Sequence, residues 1–576
     1  MRSRWFRLRS ASLLVCAAIT ASTLLGPVAK AQTARASAAT IALHLGPATV
    51  TLRDVSAQSS LSDATLAALF VVDNPAAFAA RMAAFDAAEL KAAAAEVSFG
   101  DSAEPIYVLR DIKLTAIAGG RIGTFSVGAS EGGWGRIGGV SGQTLDLGLL
   151  ARFLAIPADA AGEPETLLGG LFFEGARAQG PWGSLSLGPV AIDNITLRRF
   201  ATPAAELATA LADPATAQGD SLTALLDLAE CCAMGRLRIG GSSFAAGGSK
   251  VTVESLSIED FGDWRIGAFK LSGLAFEAAD RDGPIKLGLG LYGFSNLSGI
   301  DSIAYLRAHA ADGPAFFADL NARALQPTVE RATIAAIAVD WPMPMGDGNA
   351  EDGARFRASL ERAETRNLDP DSSTRLASVT SVDHLRFDIP QNTDPAFAAL
   401  SAMGFRAIDL SAGLEIEMDL PGKALTIKSL TIDAPGMGTA RANFAVENFD
   451  ATALLSKAAM MRAATEVAFK SAALRLEDGG LARPLLAWLA AQRGRSVEQL
   501  RADALAALDP LVRQGAPRPE TAAALLGAAA RFLDGARSIE FAVSVPQPLG
   551  FAANLSDAAS RSRFFEQLQW AAEAKD

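Results

Sequence analysis

Val190–Arg198 reads VAIDNITLR, Val251–Glu259 reads VTVESLSIE and Leu425–Asp433 reads LTIKSLTID. Each unit is apolar-x-apolar, then two polar or small residues, then apolar-x-apolar again. Within each half the alternation has period two, which predicts a strand with one buried face. Between the halves the apolar positions jump by three, as from Ile192 to Ile195. A straight strand would turn its second half to the opposite side of the sheet. One extra residue, a β-bulge, restores the phase and keeps all four apolar side chains together. A two-residue hairpin turn is the competitor, but it would leave arms of three residues, too short to be stable.

Further copies begin at Val50 (VTLRDVSA), Tyr107 (YVLRDIKLT), Phe269 (FKLSGLAFE) and Tyr292 (YGFSNLSGI), with weaker ones at Ala332, Thr380 and Val467. Their spacing is irregular, so the chain is no strict solenoid. A bulge bends its strand and adds twist, so a sheet bulged about ten times curls. Glycine-bearing turns follow several copies, in IAGGRIGTF from Ile117 and IEDFGDWRIGAF from Ile258, each reading as a hairpin. Trp134, Trp182 and Trp264 sit beside such turns and are expected to pack there.

Helices punctuate the strands. Asn74-Pro75, Gly313-Pro314 and Asp394-Pro395 each open an Ala/Phe-rich segment with proline at the first helical position. From about Gly479 the pattern is mostly helical, through Leu481–Gln492, Val497–Val512 and Glu520–Asp534. A strand at Ser538–Val545 then precedes a closing helix. The fold class expected is α+β: a long curved antiparallel β-sheet of bulged repeat strands, with packed amphipathic helices and a helix-rich C-terminal region. The expected organisation is a signal peptide at 1–31, a β-rich repeat region with inserted helices at 32–300, a second helix-then-strands region at 301–450, and a helix-rich region at 451–576.

The first residues read as a secretion signal. Arg2, Arg4, Arg7 and Arg9 precede an apolar run from Ala11 to Leu25, and Ala29-Lys30-Ala31 has the small-residue form of a cleavage site. The mature chain is then expected to begin at Gln32, in the periplasm of a bacterial envelope. No later stretch approaches the ~20 apolar residues of a spanning helix. Half of the 576 residues are hydrophobic and a fifth are charged, a globular composition; net charge is -11 with no basic stripe, which excludes a nucleic-acid binder. After cleavage two cysteines remain, Cys231 and Cys232, in an apolar stretch (Leu222 to Met234) that reads as helical. Adjacent cysteines bond to each other only with strain, so both read as small buried residues.

Chemistry-bearing motifs are scarce. His44, His309 and His384 are far apart in sequence and lack metal-ligand spacing. Gly139-Val140-Ser141-Gly142 falls short of a nucleophile elbow, and Gly119-Gly120-Arg121-Ile122-Gly123 lacks the lysine and hydroxyl of a phosphate loop. Glu415, Glu417 and Asp419 alternate with Leu414, Ile416, Met418 and Leu420, so the three acids share one strand face. Calcium takes oxygen ligands, but a flat row spaces them about 7 Å apart, and a solvated outer face is the better reading. No catalytic, cofactor-binding or metal-ligating residue is singled out.

The signal peptide, the apolar-x-apolar strands and the proline-started helices together resemble large periplasmic proteins of the AsmA-like and YdgA-like kind. VTVESLSIED from Val251 and LTIKSLTIDA from Leu425 carry the resemblance best. It implies a long curved sheet and a role in outer-membrane integrity or lipid handling. One departure is that AsmA-like proteins keep an N-terminal membrane anchor, whereas this signal reads as cleavable. Three functional expectations follow: a non-catalytic envelope protein holding lipid or another amphiphile on a concave apolar face, a scaffold with a self-filled core that meets other envelope proteins, or a hydrolase with a dispersed active site. About forty apolar side chains on one face, each worth roughly 1.5–3 kcal/mol when buried, require a cover. The protein's own helices and a bound ligand both answer that requirement.

Overall fold

The structure is a computed structural model. It describes residues 35–576 except 46–47, 72–73, 100–104, 106, 133–134, 156–161, 201–225, 228–229, 281–282, 310–327, 343–354, 371, 373, 390–394, 450–465, 517 and 551–557. The signal peptide, Trp134 and the Pro314 helix lie outside the described residues. The fold class is the one the repeat predicts: an α+β protein dominated by curved antiparallel sheet, with helices toward the C-terminus. The chain divides into two compact units, Met1–Leu274 with Ser295–Pro327, and Ala275–Phe294 with Thr328–Asp576.

The first unit begins with β1 (Arg35–Leu45), β2 (Ala48–Gln58), α1 (Asp63–Ala67), α2 (Pro75–Ala83), β3 (Ala87–Phe99), β4 (Tyr107–Ile117) and β5 (Arg121–Gly128). It continues with β6 (Ser130–Gly132), β7 (Gly135–Ile137), β8 (Val140–Asp146), α3 (Leu147–Ala155), β9 (Glu165–Phe173), β10 (Ala176–Gly180), β11 (Gly183–Leu187) and β12 (Val190–Leu197). Then come β13 (Cys232–Ile239), β14 (Ser242–Ala246), β15 (Ser249–Val253), β16 (Ser255–Gly262) and β17 (Arg265–Asp280). The division between units falls inside β17 and β18 (Gly283–Ser298), and α4 (Ile300–His309) belongs to the first unit. The antiparallel order is β1-β2-β3-β4-β5-β8-β9-β12-β13-β16-β17.

The phase jump is solved by a left-handed residue. Asp54, Asp111, Asn194, Asn296, Ala336 and His384 have φ between 50° and 53°, and each stands at the fifth position of its repeat. Gly273, with φ 62°, occupies the same position in the copy from Phe269. Asp and Asn tolerate this conformation better than other non-glycine residues, which accounts for the polar pair at the centre of the repeat. In β4 the result is visible in burial: Leu109, Ile112, Leu114 and Ile117 are all buried, with left-handed residues at Asp111 and Ala116 between them. Extra residues appear in the register where Arg110 and Lys113 of β4 face Gly128 and Ser126. They recur where Val382 and Leu385 face Ala412 and Leu410, and where Ile427 and Leu430 face Phe444 and Ala442. In the copy from Val251 the strand breaks at Glu254 instead, and both halves, β15 and β16, run along β17.

Helices α1, α2 and α3 cover the start of this sheet. Asn74 caps α2, its side chain accepting from the Ala77 N–H at 3.1 Å, with Pro75 at the first helical position. Leu66, Met82 and Ala151 from these helices are fully buried in one core with Leu90, Ile122, Leu145 and Leu168 of the strands.

In the second unit β19 (Thr328–Pro342), β20 (Arg355–Asn367), β21 (Arg375–Asp388), α5 (Pro395–Ala402), β22 (Ala407–Asp419), β23 (Ala424–Ala434), β24 (Gly438–Glu447) and β25 (Ala468–Asp478) follow in order. Then come α6 (Ala482–Arg493), α7 (Val497–Gly515), α8 (Pro519–Leu533), β26 (Ser538–Gly550), α9 (Ala558–Gln567) and β27 (Gln569–Lys575). Strands β19 to β27 pair antiparallel in sequence order. Two expectations are corrected. The chain does not close on a helix, because α9 returns into β27, which pairs with β26 through Trp570 opposite Val543. The stretch around the cysteines is not helical through Met234: Cys232 starts β13 and faces Leu197. Both were obscured because alternation of short apolar and small residues supports either period.

Candidate functional site

The second unit carries a continuous apolar face. One cross-strand row runs Ile416, Ile427, Phe444, Ala472, Val543 and Trp570 from β22 to β27. A parallel row runs Leu414, Leu430, Ala442, Leu474, Phe541 and Ala572, and a third runs Ala412, Ile432, Ala440, Leu476, Ile539 and Ala574. Directly opposed residues share a face, so these rows form one surface. The bulges keep the rows in phase: without the extra residue in β23, Leu430 and Ile432 would turn away from Leu414 and Ala412.

Among the described residues the face is covered at one end and leaves large apolar side chains open elsewhere. Ala528 and Phe532 of α8 pack with Ile539, Phe541, Ala572 and Ala574. Phe564 and Phe565 of α9 pack with Phe469, Val543, Leu549 and Trp570. Beyond these helices Leu385, Ile432, Leu474 and Trp341 keep 37%, 43%, 39% and 42% of their surface accessible. Side chains of this size are ordinarily buried where their row is covered, as Ile539 is. Phe397 of α5 meets Phe387 edge-on, with ring centroids 6.4 Å apart, and shelters one strand end.

The opposite face is polar and laced with ion pairs. Glu417 accepts from the Arg375 guanidinium at 2.7 Å and lies 2.6 Å from the Lys428 ammonium; Glu415 shares the same lysine at 3.4 Å. These two cations hold the Glu417 carboxyl far below its ordinary range, to about 2. Asp419 takes no part in that network and accepts from the Gly422 N–H in the turn to β23. The acids thus sit on the outer face as the alternation predicts, each with a cation or turn partner. Among the described residues no group of three or more His, Cys, Asp or Glu side chains is placed to hold a metal ion.

His384 forms a pairing that sequence spacing does not reveal. Its left-handed backbone turns Nδ1 to within 3.1 Å of Asp409 on β22, while its N–H donates to the Ser411 hydroxyl at 3.1 Å. The Asp409 carboxylate raises the imidazole's affinity for its proton. The pair borders an open depression of about 480 Å³ together with Ser359, Glu361 and Arg386. His384 is exposed, so the arrangement has an oriented imidazole in water and no enclosed chamber. Of the other histidines, His44 lies in β1 and His309 ends α4.

A further feature was not legible from the nonamer. Between β5 and β8, β9 and β12, and β13 and β16, the chain inserts a small hairpin each time. These hairpins pair with one another in the order β6-β7-β10-β11-β14-β15. Trp182, at a hairpin turn, stacks on Phe244 of the next hairpin at 6.3 Å and 9°, yet stays 43% exposed. Its ring packs at its turn as expected. The available signal was the Trp-Gly step at 134–135 and again at 182–183. Gly135 and Gly183 have φ of 132° and 123°, and a Cβ on either would strike a carbonyl of the neighbouring hairpin.

A family model described as "Uncharacterized protein" matches residues 431–575, from within β23 to the end of β27. No curated protein matches the chain.

Proposed function

We propose that this is a non-catalytic, exported cell-envelope protein that holds lipid or another amphiphile against the apolar face of β19–β25. The observation that supports this reading is the partial cover: three apolar rows continue past α8 and α9 to side chains left about two-fifths exposed. An extended acyl chain fits such a surface, because it needs only apolar contact and gains about 0.8 kcal/mol for each buried CH₂. The polar, ion-paired outer face suits water, so the two faces divide the environments as a peripheral lipid carrier requires. No helix among the described residues is long and apolar enough to cross a membrane. The periplasm and the kinship with AsmA-like and YdgA-like proteins are part of the same proposal and rest on the sequence.

The test is native mass spectrometry of the purified protein, followed by organic extraction and uptake of a fluorescent phospholipid. A stoichiometric lipid mass with saturable uptake is the expected result. A monodisperse, empty protein that takes up no probe overturns the proposal.

One observation favours a second reading, an interaction scaffold. Leu508 and Leu511 of α7, one turn apart, are 37% and 64% exposed on the C-terminal helices. Crosslinking from this face in whole cells, lost in Leu511→Glu, tests it.

A further inference from the structure

Cys231 and Cys232 stand where the chain enters β13, apart from the apolar face and its ion pairs. Their Sγ atoms lie 3.0 Å apart, within about 1 Å of a disulfide's ~2.05 Å bond. Cys231 is buried at 5% exposure, and Cys232 is partly open to solvent. The backbone around them is held. The Cys231 carbonyl accepts from the Arg198 N–H at 2.8 Å, and Cys232 pairs with Leu197 across β12 and β13. Just upstream, Arg307 of α4 binds Asp227 and Glu230, each at 2.9 Å. The backbone that carries the two sulfurs is therefore held where they stand side by side.

We propose that Cys231 and Cys232 form a redox modification site, closing to a vicinal disulfide in exchange with an external disulfide. The Cys232 thiolate attacks one sulfur of the external disulfide, forms a mixed disulfide and expels one thiolate. Cys231 then gives up its proton and attacks Cys232 Sγ, displacing the second thiolate of the oxidant. Two protein thiols are oxidised, one external disulfide is reduced to two thiols, and the expelled thiolates take the protons. The order of attack follows from the contact. Either sulfur can donate across the contact, but Cys232 is the one open to solvent and its thiol is shifted down by its neighbour while that of Cys231 is shifted up, so Cys232 attacks first. Adjacent Cα atoms are about 3.8 Å apart, short of the usual 4.4–6.8 Å disulfide range. The closed ring is strained, so thiols reopen it readily, which makes the site reversible and unlike a structural disulfide.

The experiment uses the full chain, reduced, desalted and incubated with oxidised glutathione. Alkylation with iodoacetamide before and after reduction is then read on the peptide spanning both cysteines. The expected peptide takes no label before reduction and two labels after it, is two hydrogens lighter, and carries no glutathione. In Cys231→Ser the expected product is a lasting glutathione adduct on Cys232. Free alkylation of both thiols after oxidant, or a stable glutathione adduct on the unaltered pair, overturns the proposal.

Discussion

Replacing Asn194 by valine isolates the device on which the sheet depends. Asn194 has φ 52° in the middle of β12, between Ile192 and Ile195, which both pack on the main core, and before Leu197, which is 4% exposed. A non-glycine residue in this conformation costs roughly 1–2 kcal/mol, and β-branched side chains sit at the unfavourable end. The alternative is to straighten the strand, which would expel Ile195 and Leu197 from their side of the sheet. Those two side chains are worth roughly 1.5–3 kcal/mol each, about 3–6 kcal/mol together. The smaller cost wins, so Asn194→Val keeps the bulged backbone and loses about 1–2 kcal/mol. Asn194→Gly, which enters the region freely, changes stability far less.

The assay is native-state hydrogen exchange of the β12 and β13 amides, which reads local opening without requiring the whole chain to unfold in one step. The valine variant is expected to lose protection about 5–30-fold relative to glycine. Equal protection in the two variants would refute the reasoning, because the left-handed residue would then carry no cost. A loss corresponding to about 3–6 kcal/mol would refute it in the other direction, since the strand would have straightened.

Three other perturbations read the rest of the structure. Met82→Ala, on the buried side of α2 at 0% exposure, is expected to destabilise by about 2–5 kcal/mol. Ile432→Ala, at 43% exposure, is expected to cost less than half as much, and thermal unfolding of the two variants compares a closed core with the open apolar face. The double change Leu385→Glu with Ile432→Glu is expected to cut fluorescent-lipid uptake at least tenfold with an unchanged circular-dichroism spectrum; undiminished uptake would place the ligand elsewhere. Glu417 has its folded pKa lowered from 4.5 to about 2, so its contribution is present above 4.5 and is lost as pH falls toward 2. Glu417→Gln is expected to flatten acid-unfolding curves in that window while costing no more than about 1 kcal/mol at neutral pH, because the pair is solvent-screened.

Most of the sheet was legible because its strands repeat a phase error that only a bulge corrects. The apolar positions of VAIDNITLR and LTIKSLTID identify the buried face, and the phase jump falls at left-handed Asn194 in the first and at a register shift between Ile427 and Leu430 in the second. Other parts were hidden for physical reasons. AAELKAAAAEVSF has the composition of a helix, yet forms β3, because pairing with both β2 and β4 overrides alanine's propensity. The hairpins β6-β7, β10-β11 and β14-β15 have arms of three to five residues, too short to show a period. The exposure of Leu385 and Ile432 could not be read at all, since a covered row and an open one have the same sequence pattern. His384 and Asp409 are 25 positions apart, and only the register of β21 on β22 brings them together.

The size of the open face bears on what it is for. Isolated exposed leucines need no explanation, because much of any protein surface is apolar. These residues differ in being continuous with rows that α8 and α9 bury at one end. Covering the remaining two-fifths of Leu385, Ile432, Leu474 and Trp341 would recover about 0.6–1.2 kcal/mol each, or about 2–5 kcal/mol in all. That is a large share of the 5–15 kcal/mol by which folded proteins exceed their unfolded chains. A longer α5 or one more helix beside α8 would capture it, and the chain already builds such covers over β26 and β27. Strands β19–β22, which carry much of the open face, lie outside residues 431–575 of the matched family, whereas the helices over the closed end lie inside it. The lid and the strands beneath it thus fall in one matched stretch, and β19–β22 in another part of the chain, where Phe397 of α5 shelters one strand end. On the proposed reading an occupant supplied from outside the chain covers these side chains, and an acyl chain suits the leucine, isoleucine, phenylalanine and alanine of the rows, which give way to Ser378 and Thr380 where they reach β21.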